Sequence, residues 1–68
     1  MTIAEIRRVA RGNLGRRVIV ELKSGRDVEG VIVFAGIFSL ILRTRVRGRI
    51  VFRRIFYRNI IRIVPIVF

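Results

Sequence analysis

The sequence predicts a small all-β barrel of SH3-like architecture, with a short N-terminal helix followed by five strongly bent antiparallel strands. Three observations carry this expectation. The apolar pattern changes from helical spacing to strict alternation near Arg17 and keeps alternating almost to the end of the chain. Turn signals at Ser24-Gly25, Arg47-Gly48 and Arg58-Asn59 divide that stretch into short runs. A length of 68 residues, without a linker, repeat or low-complexity segment, allows one domain spanning 1–68.

The helix is expected at about 3–11. Thr2-Ile3-Ala4-Glu5 has the form of a capping box, and Ile3, Ile6, Val9 and Ala10 then recur on one helical face, ending near Gly12. That face would close one end of a core, leaving Arg7, Arg8 and Arg11 in solvent.

The first strand alternates Val18, Val20 and Leu22 with Ile19, Glu21 and Lys23. After Ser24-Gly25 the second runs from Arg26 to Phe34, with Val28, Gly30, Ile32 and Phe34 sharing a face. A glycine inside a strand marks a sharp bend or a close backbone approach, which places a bend at Gly30. Ala35-Gly36 interrupts the run and the parity then reverses, so that Phe38, Leu40, Leu42 and Thr44 form the third strand, with Phe38 in the core.

Strand four reads Arg49 to Tyr57, with Ile50, Phe52 and Ile55 inward and Arg49, Arg53 and Arg54 outward. The doublet Arg53-Arg54 breaks alternation and predicts a bulge. Beyond Arg58-Asn59, Ile60 to Val64 make a last strand stopped by Pro65. So many short strands in so short a chain are expected to form a closed or nearly closed barrel, which hides strand edges.

Composition narrows the function. Fifteen Lys plus Arg against four Asp plus Glu give a net charge of +11, and a surface with so few acids cannot neutralise itself through ion pairs. An anionic partner follows, with nucleic acid first and an acidic protein or anionic surface behind it. Hydrophobic residues make up 53% of the chain, more than a core of this size can hide, so the surplus must face a neighbour, a ligand or a membrane, and self-association fits it.

Mean hydropathy is high at +0.53, yet the longest uncharged stretch, Gly30 to Leu42, has 13 residues, too few for a spanning helix. The first residues carry Glu5, Arg7, Arg8 and Arg11 in place of an apolar signal region, so a cytoplasmic protein is expected.

Catalysis is not expected. With no His or Cys, and only Glu5, Glu21, Asp27 and Glu29 as acids, no general acid–base pair or metal cluster can be assembled, and Asp27 and Glu29 lie along one strand without converging. No cofactor or metal is implied.

Leu14-Gly15, the series Val18, Val20, Leu22, Lys23, Gly25 and Arg26, then Gly30 and the later Asn59-Ile60, Ile63 and Pro65 together resemble the Sm and Sm-like (LSm) family, archaeal-type Sm-like proteins and the bacterial host factor Hfq included. The likeness covers a first motif at about 14–44 and a second at about 49–65, and it implies the Sm fold. It also implies a hexameric or heptameric ring, in which strand four of one subunit pairs with strand five of the next, and single-stranded RNA as the partner.

By the same resemblance, the nucleotide-binding positions fall on Ile37, Ser39, Tyr57, Arg58 and Asn59. Tyr57-Arg58-Asn59 is similar to the Tyr-Lys-His of Hfq, whose basic residue lines the ring pore. The family's Asp, base-stacking residue and base-reading Asn are here Ala35, Ile37 and Ser39, while Phe56-Tyr57 stand where Sm proteins carry Arg-Gly. A side chain without a π face stacks weakly, and one hydroxyl reads less than a paired acceptor and donor.

Arg43, Arg45, Arg47, Arg49, Arg53 and Arg54 form a dense basic hairpin. Two readings stand: an RNA scaffold or chaperone ring, or a structural or interaction ring that attracts DNA, acidic protein or anionic surfaces by charge alone.

Overall fold

In the computed structural model, which describes residues 1–67, the capping box is formed on both sides: the Glu5 amide donates to Thr2 Oγ1 at 3.1 Å and the Thr2 amide to Glu5 Oε1 at 3.0 Å. It starts helix α1, Ile3–Gly12, whose buried residues are Ile6 and Ala10. Five strands follow, β1 Arg17–Leu22, β2 Asp27–Ala35, β3 Ser39–Val46, β4 Arg49–Phe56 and β5 Ile60–Pro65, with a 3₁₀ turn at Tyr57–Asn59 before β5.

The strands form one antiparallel sheet in the order β4-β3-β2-β1-β5. Its inner face carries Val18, Val20, Ile32, Leu40 and Leu42, all fully buried, and α1 packs over it against β2, β5 and the 3₁₀ turn. Of the closed and nearly closed barrels expected, the sheet takes the open form: β4 and β5 are its two edges and do not pair with each other.

Gly30 is buried, and a Cβ built there would lie 2.7 Å from the Arg43 carbonyl oxygen. Only a residue without a side chain lets β2 and β3 approach this closely, the physical content of the bend read from sequence. The register shifts between Ile32 and Phe34 and between Glu21 and Leu22. The first shift turns Phe34 outward, where it is 52% exposed instead of sharing the inner face with Ile32.

No bulge occurs at Arg53-Arg54: β3 and β4 stay in unbroken register from Ser39↔Phe56 to Val46↔Arg49. Alternation survives because β4 runs past the core, so Arg53, although on the parity of buried Ile55, still reaches solvent. The same parity corrects two more expectations. Phe52 pairs with Arg43 and Ile50 with Arg45 on the solvent face, leaving them 63% and 57% exposed. Phe38, expected in the core, precedes β3 in the loop and is exposed.

Candidate nucleic-acid interface

Two surfaces gather the residues singled out by the sequence. The first surrounds the β2–β3 loop, Gly36-Ile37-Phe38, which four donors hold in place. Tyr57 Oη donates to the Gly36 carbonyl at 2.8 Å, joined by Arg11 Nη2 at 3.5 Å; Arg7 Nε donates to the Ile37 carbonyl at 2.8 Å, and the Tyr57 amide to the Phe38 carbonyl at 2.9 Å. The loop is thereby clamped between α1 and the 3₁₀ turn, and Ile37 and Phe38 are left exposed.

Tyr57, expected at the nucleotide-binding surface, is corrected: its side chain is fully buried in the core of its own chain. Burial pushes its phenol pKa up, opposed by the nearby charges of Arg11 and Arg7, which keeps the hydroxyl protonated as the donor to Gly36. Its ring cannot stack on a base in this arrangement.

Arg58 follows in the turn and is exposed, its guanidinium carbon 5.3 Å from the centroid of the Phe56 ring, within cation–π range. Arg58, Phe56, Phe38 and Ile3 line a small cavity of about 210 Å³. Sequence reasoning missed Phe56 and Phe38 as parts of this surface, although both flank the positions it selected. Ser39 is half-buried opposite Phe56 at the start of β3. Asn59 is exposed, and its carbonyl accepts from the Lys23 amide at 2.9 Å, which ties it toward the β1–β2 turn.

The second surface is the β3–β4 hairpin. Arg43, Arg45, Arg47, Arg49, Arg53 and Arg54 are all exposed on it. Across the hairpin Arg43 faces Phe52, Arg45 faces Ile50, Arg49 faces Val46, Arg53 faces Leu42 and Arg54 faces Ile41, so each strand arginine stands opposite an apolar residue. The ion pairs found among the described residues, Arg17–Glu29 at 3.3 Å and Arg62–Glu21, lie elsewhere. The hairpin arginines are therefore open to an external anion.

No protein-family model matches the sequence, and no curated protein matches it significantly. The structure does find a counterpart. The SmAP1 of P. aerophilum, solved as a heptamer in a crystal of form C2221, superposes with a TM-score of 0.61 over 88% of this chain and 90% of that one, at 19% sequence identity.

The chain has the Sm fold.

On the Sm fold, Ile37 and Ser39 flank Phe38 at the clamped loop, and Arg58 and Asn59 sit in the turn that the Tyr57 amide links to that loop. The Sm fold thus brings the β2–β3 loop and the 3₁₀ turn together, except that Tyr57 faces the core. Among the described residues no helix is long and apolar enough to cross a membrane.

Proposed function

We propose that copies of this chain pair β4 of one with β5 of the next to form a homo-oligomeric ring, a hexamer or heptamer, that holds single-stranded RNA in the cytoplasm as a scaffold or chaperone, without catalysis. The observation that carries this reading is the open sheet. Both edges leave rows of backbone donors and acceptors without strand partners, and apolar side chains sit there in solvent, among them Ile50, Val51 and Phe52 on β4 and Ile61 and Val64 on β5. An edge pairing of two different strands is head-to-tail, and such contacts close into rings when the rotation allows.

RNA would meet the surface of Arg58, Ile37, Ser39 and Asn59, with Phe38 and Phe56 offering the ring faces that Ile37 lacks. The basic hairpin supplies charge. In a second reading the assembly binds DNA or acidic protein by charge alone; the replacement of the family's stacking and base-reading residues by Ile37 and Ser39, together with the burial of Tyr57, supports it.

Light scattering combined with binding of equal-length oligo(U), oligo(A) and single-stranded DNA over a salt series tests both readings. A ring-sized species that keeps one RNA at high salt supports base recognition. Equal binding of all strands, with common release as salt rises, supports charge alone. A monomer under all conditions overturns the ring.

A further inference from the structure

The β3–β4 hairpin leaves the body of the sheet. Its register with β2 ends at Val31↔Arg43, and the last tie is the Thr44 hydroxyl donating to the Glu29 carbonyl at 2.7 Å. Beyond it, β2 and the hairpin part around a groove of about 690 Å³, and Arg45 to Ile50 stand as a two-stranded ribbon with every residue exposed. Strand alternation puts Arg45 on one face of this ribbon, beside Ile50, and Arg49 on the other, beside Val46, with Arg47 at the turn.

We propose that this ribbon enters the major groove of double-stranded DNA. A strand lying flat on a sheet uses the cations of one face. Cations on both faces of a narrow projection instead match a groove with a phosphate wall on each side. The major groove of B-DNA, about 12 Å wide, admits a two-stranded ribbon, whereas the minor groove, about 6 Å wide, does not, and the deep, narrow major groove of A-form RNA excludes it.

The turn supplies a second, independent observation. Arg47 has φ 51° and Gly48 φ 80°, the left-handed pair of a tight hairpin turn in which Asn-Gly is the unstrained choice. The turn therefore holds an arginine, in a backbone region few non-glycine residues adopt, at the tip of a ribbon already flanked by arginines. The groove beside the ribbon gives one phosphate wall its place. Acids occur only on its β2 side, where Glu29 is paired with Arg17 and Asp27 lies at the strand start, while Arg43, Arg45 and Arg53 face it from the hairpin.

The inference needs only one copy of the chain and so does not rest on ring closure or on RNA binding. It is tested with the full chain on a short DNA duplex probed by dimethyl sulfate, which methylates guanine N7 in the major groove and adenine N3 in the minor groove. Guanine N7 protection is expected and should be lost in Arg45→Gln/Arg49→Gln, with the slope of log affinity against log salt falling by about 2 for each ribbon engaged. Arg8→Gln/Arg26→Gln, the same change of charge at exposed sites away from the hairpin, should keep the protection. Protection of adenine N3 alone, or N7 protection that survives the hairpin substitutions, overturns the proposal. So does an RNA duplex that competes as well as DNA at equal phosphate concentration.

Discussion

The Tyr57 hydroxyl donates a 2.8 Å hydrogen bond to the Gly36 carbonyl oxygen, tying the 3₁₀ turn before β5 to the β2–β3 loop. Together with the Tyr57 amide, which donates to the Phe38 carbonyl at 2.9 Å, this bond joins the two segments that carry the candidate RNA-binding residues and makes their relative position a property of the core. The residue that holds the site together is thereby removed from the surface.

Tyr57→Phe keeps the ring and deletes the bond, so a loss of about 1 kcal/mol is expected in urea denaturation. The wild type has a further signature. Burial raises the phenol pKa above its ordinary value of 10.0, so the associated stability is fully present below pH 10 and is lost as pH rises through the folded value. Tyr57→Phe should lack this alkaline loss; identical pH profiles for the two proteins would show that the phenol is not buried.

Gly30→Ala places a methyl group 2.7 Å from the Arg43 carbonyl oxygen, where backbone has to move. A destabilisation of about 1 to 3 kcal/mol is expected, read as a lower thermal midpoint. An unchanged midpoint would mean that β2 and β3 separate freely at this point.

The Glu5 carboxyl is held below its ordinary pKa of 4.5, first by the hydrogen bond from the Thr2 amide and then by the Thr2 hydroxyl. A lowered carboxyl pKa contributes stability above the unfolded value and loses it as pH falls through the folded one. Amide hydrogen exchange in the first turn of α1 should therefore accelerate in acid, and Glu5→Gln should remove most of that acceleration.

Ile37→Tyr adds an exposed π face beside Phe38 without touching the core. If single-stranded RNA binds at this loop, affinity for oligo(U) should rise by about 1 to 3 kcal/mol per stacked base, measured by fluorescence anisotropy at a salt concentration that suppresses non-specific binding. No gain would move the contact to another surface.

Ile61→Lys tests the edge pairing. Ile61 lies on β5 and is 47% exposed, so the fold of one copy should tolerate the charge, while an assembly that places this edge against β4 of a neighbour should not. The mass by light scattering is expected to fall toward that of a single chain with the circular dichroism spectrum kept; an unchanged mass would remove β5 from the interface.

The sequence by itself determined the elements whose signals are local. Thr2 and Glu5 announce the helix start through hydrogen bonds three residues apart, Gly30 announces a close approach, and Ser24-Gly25 and Arg47-Gly48 announce turns through the backbone conformations they allow. The arginine count likewise announced a charged surface whatever the fold.

Alternation also announced the inward side of β1 and β3 and of β2 as far as Ile32, whereas tertiary structure alone decided the facing of Phe34, Ile50 and Phe52. The shift between Ile32 and Phe34 turns Phe34 outward, and the pairing of β4 with β3 sends Phe52 and Ile50 to solvent and Ile55 to the core. A phenylalanine looks the same in the sequence on either face, because parity is set by the partner strand and not by the residue. For the same reason Tyr57 reads as a base-stacking candidate in the sequence and proves to be a core residue: its burial depends on α1 and the β2–β3 loop, both distant along the chain, closing over it.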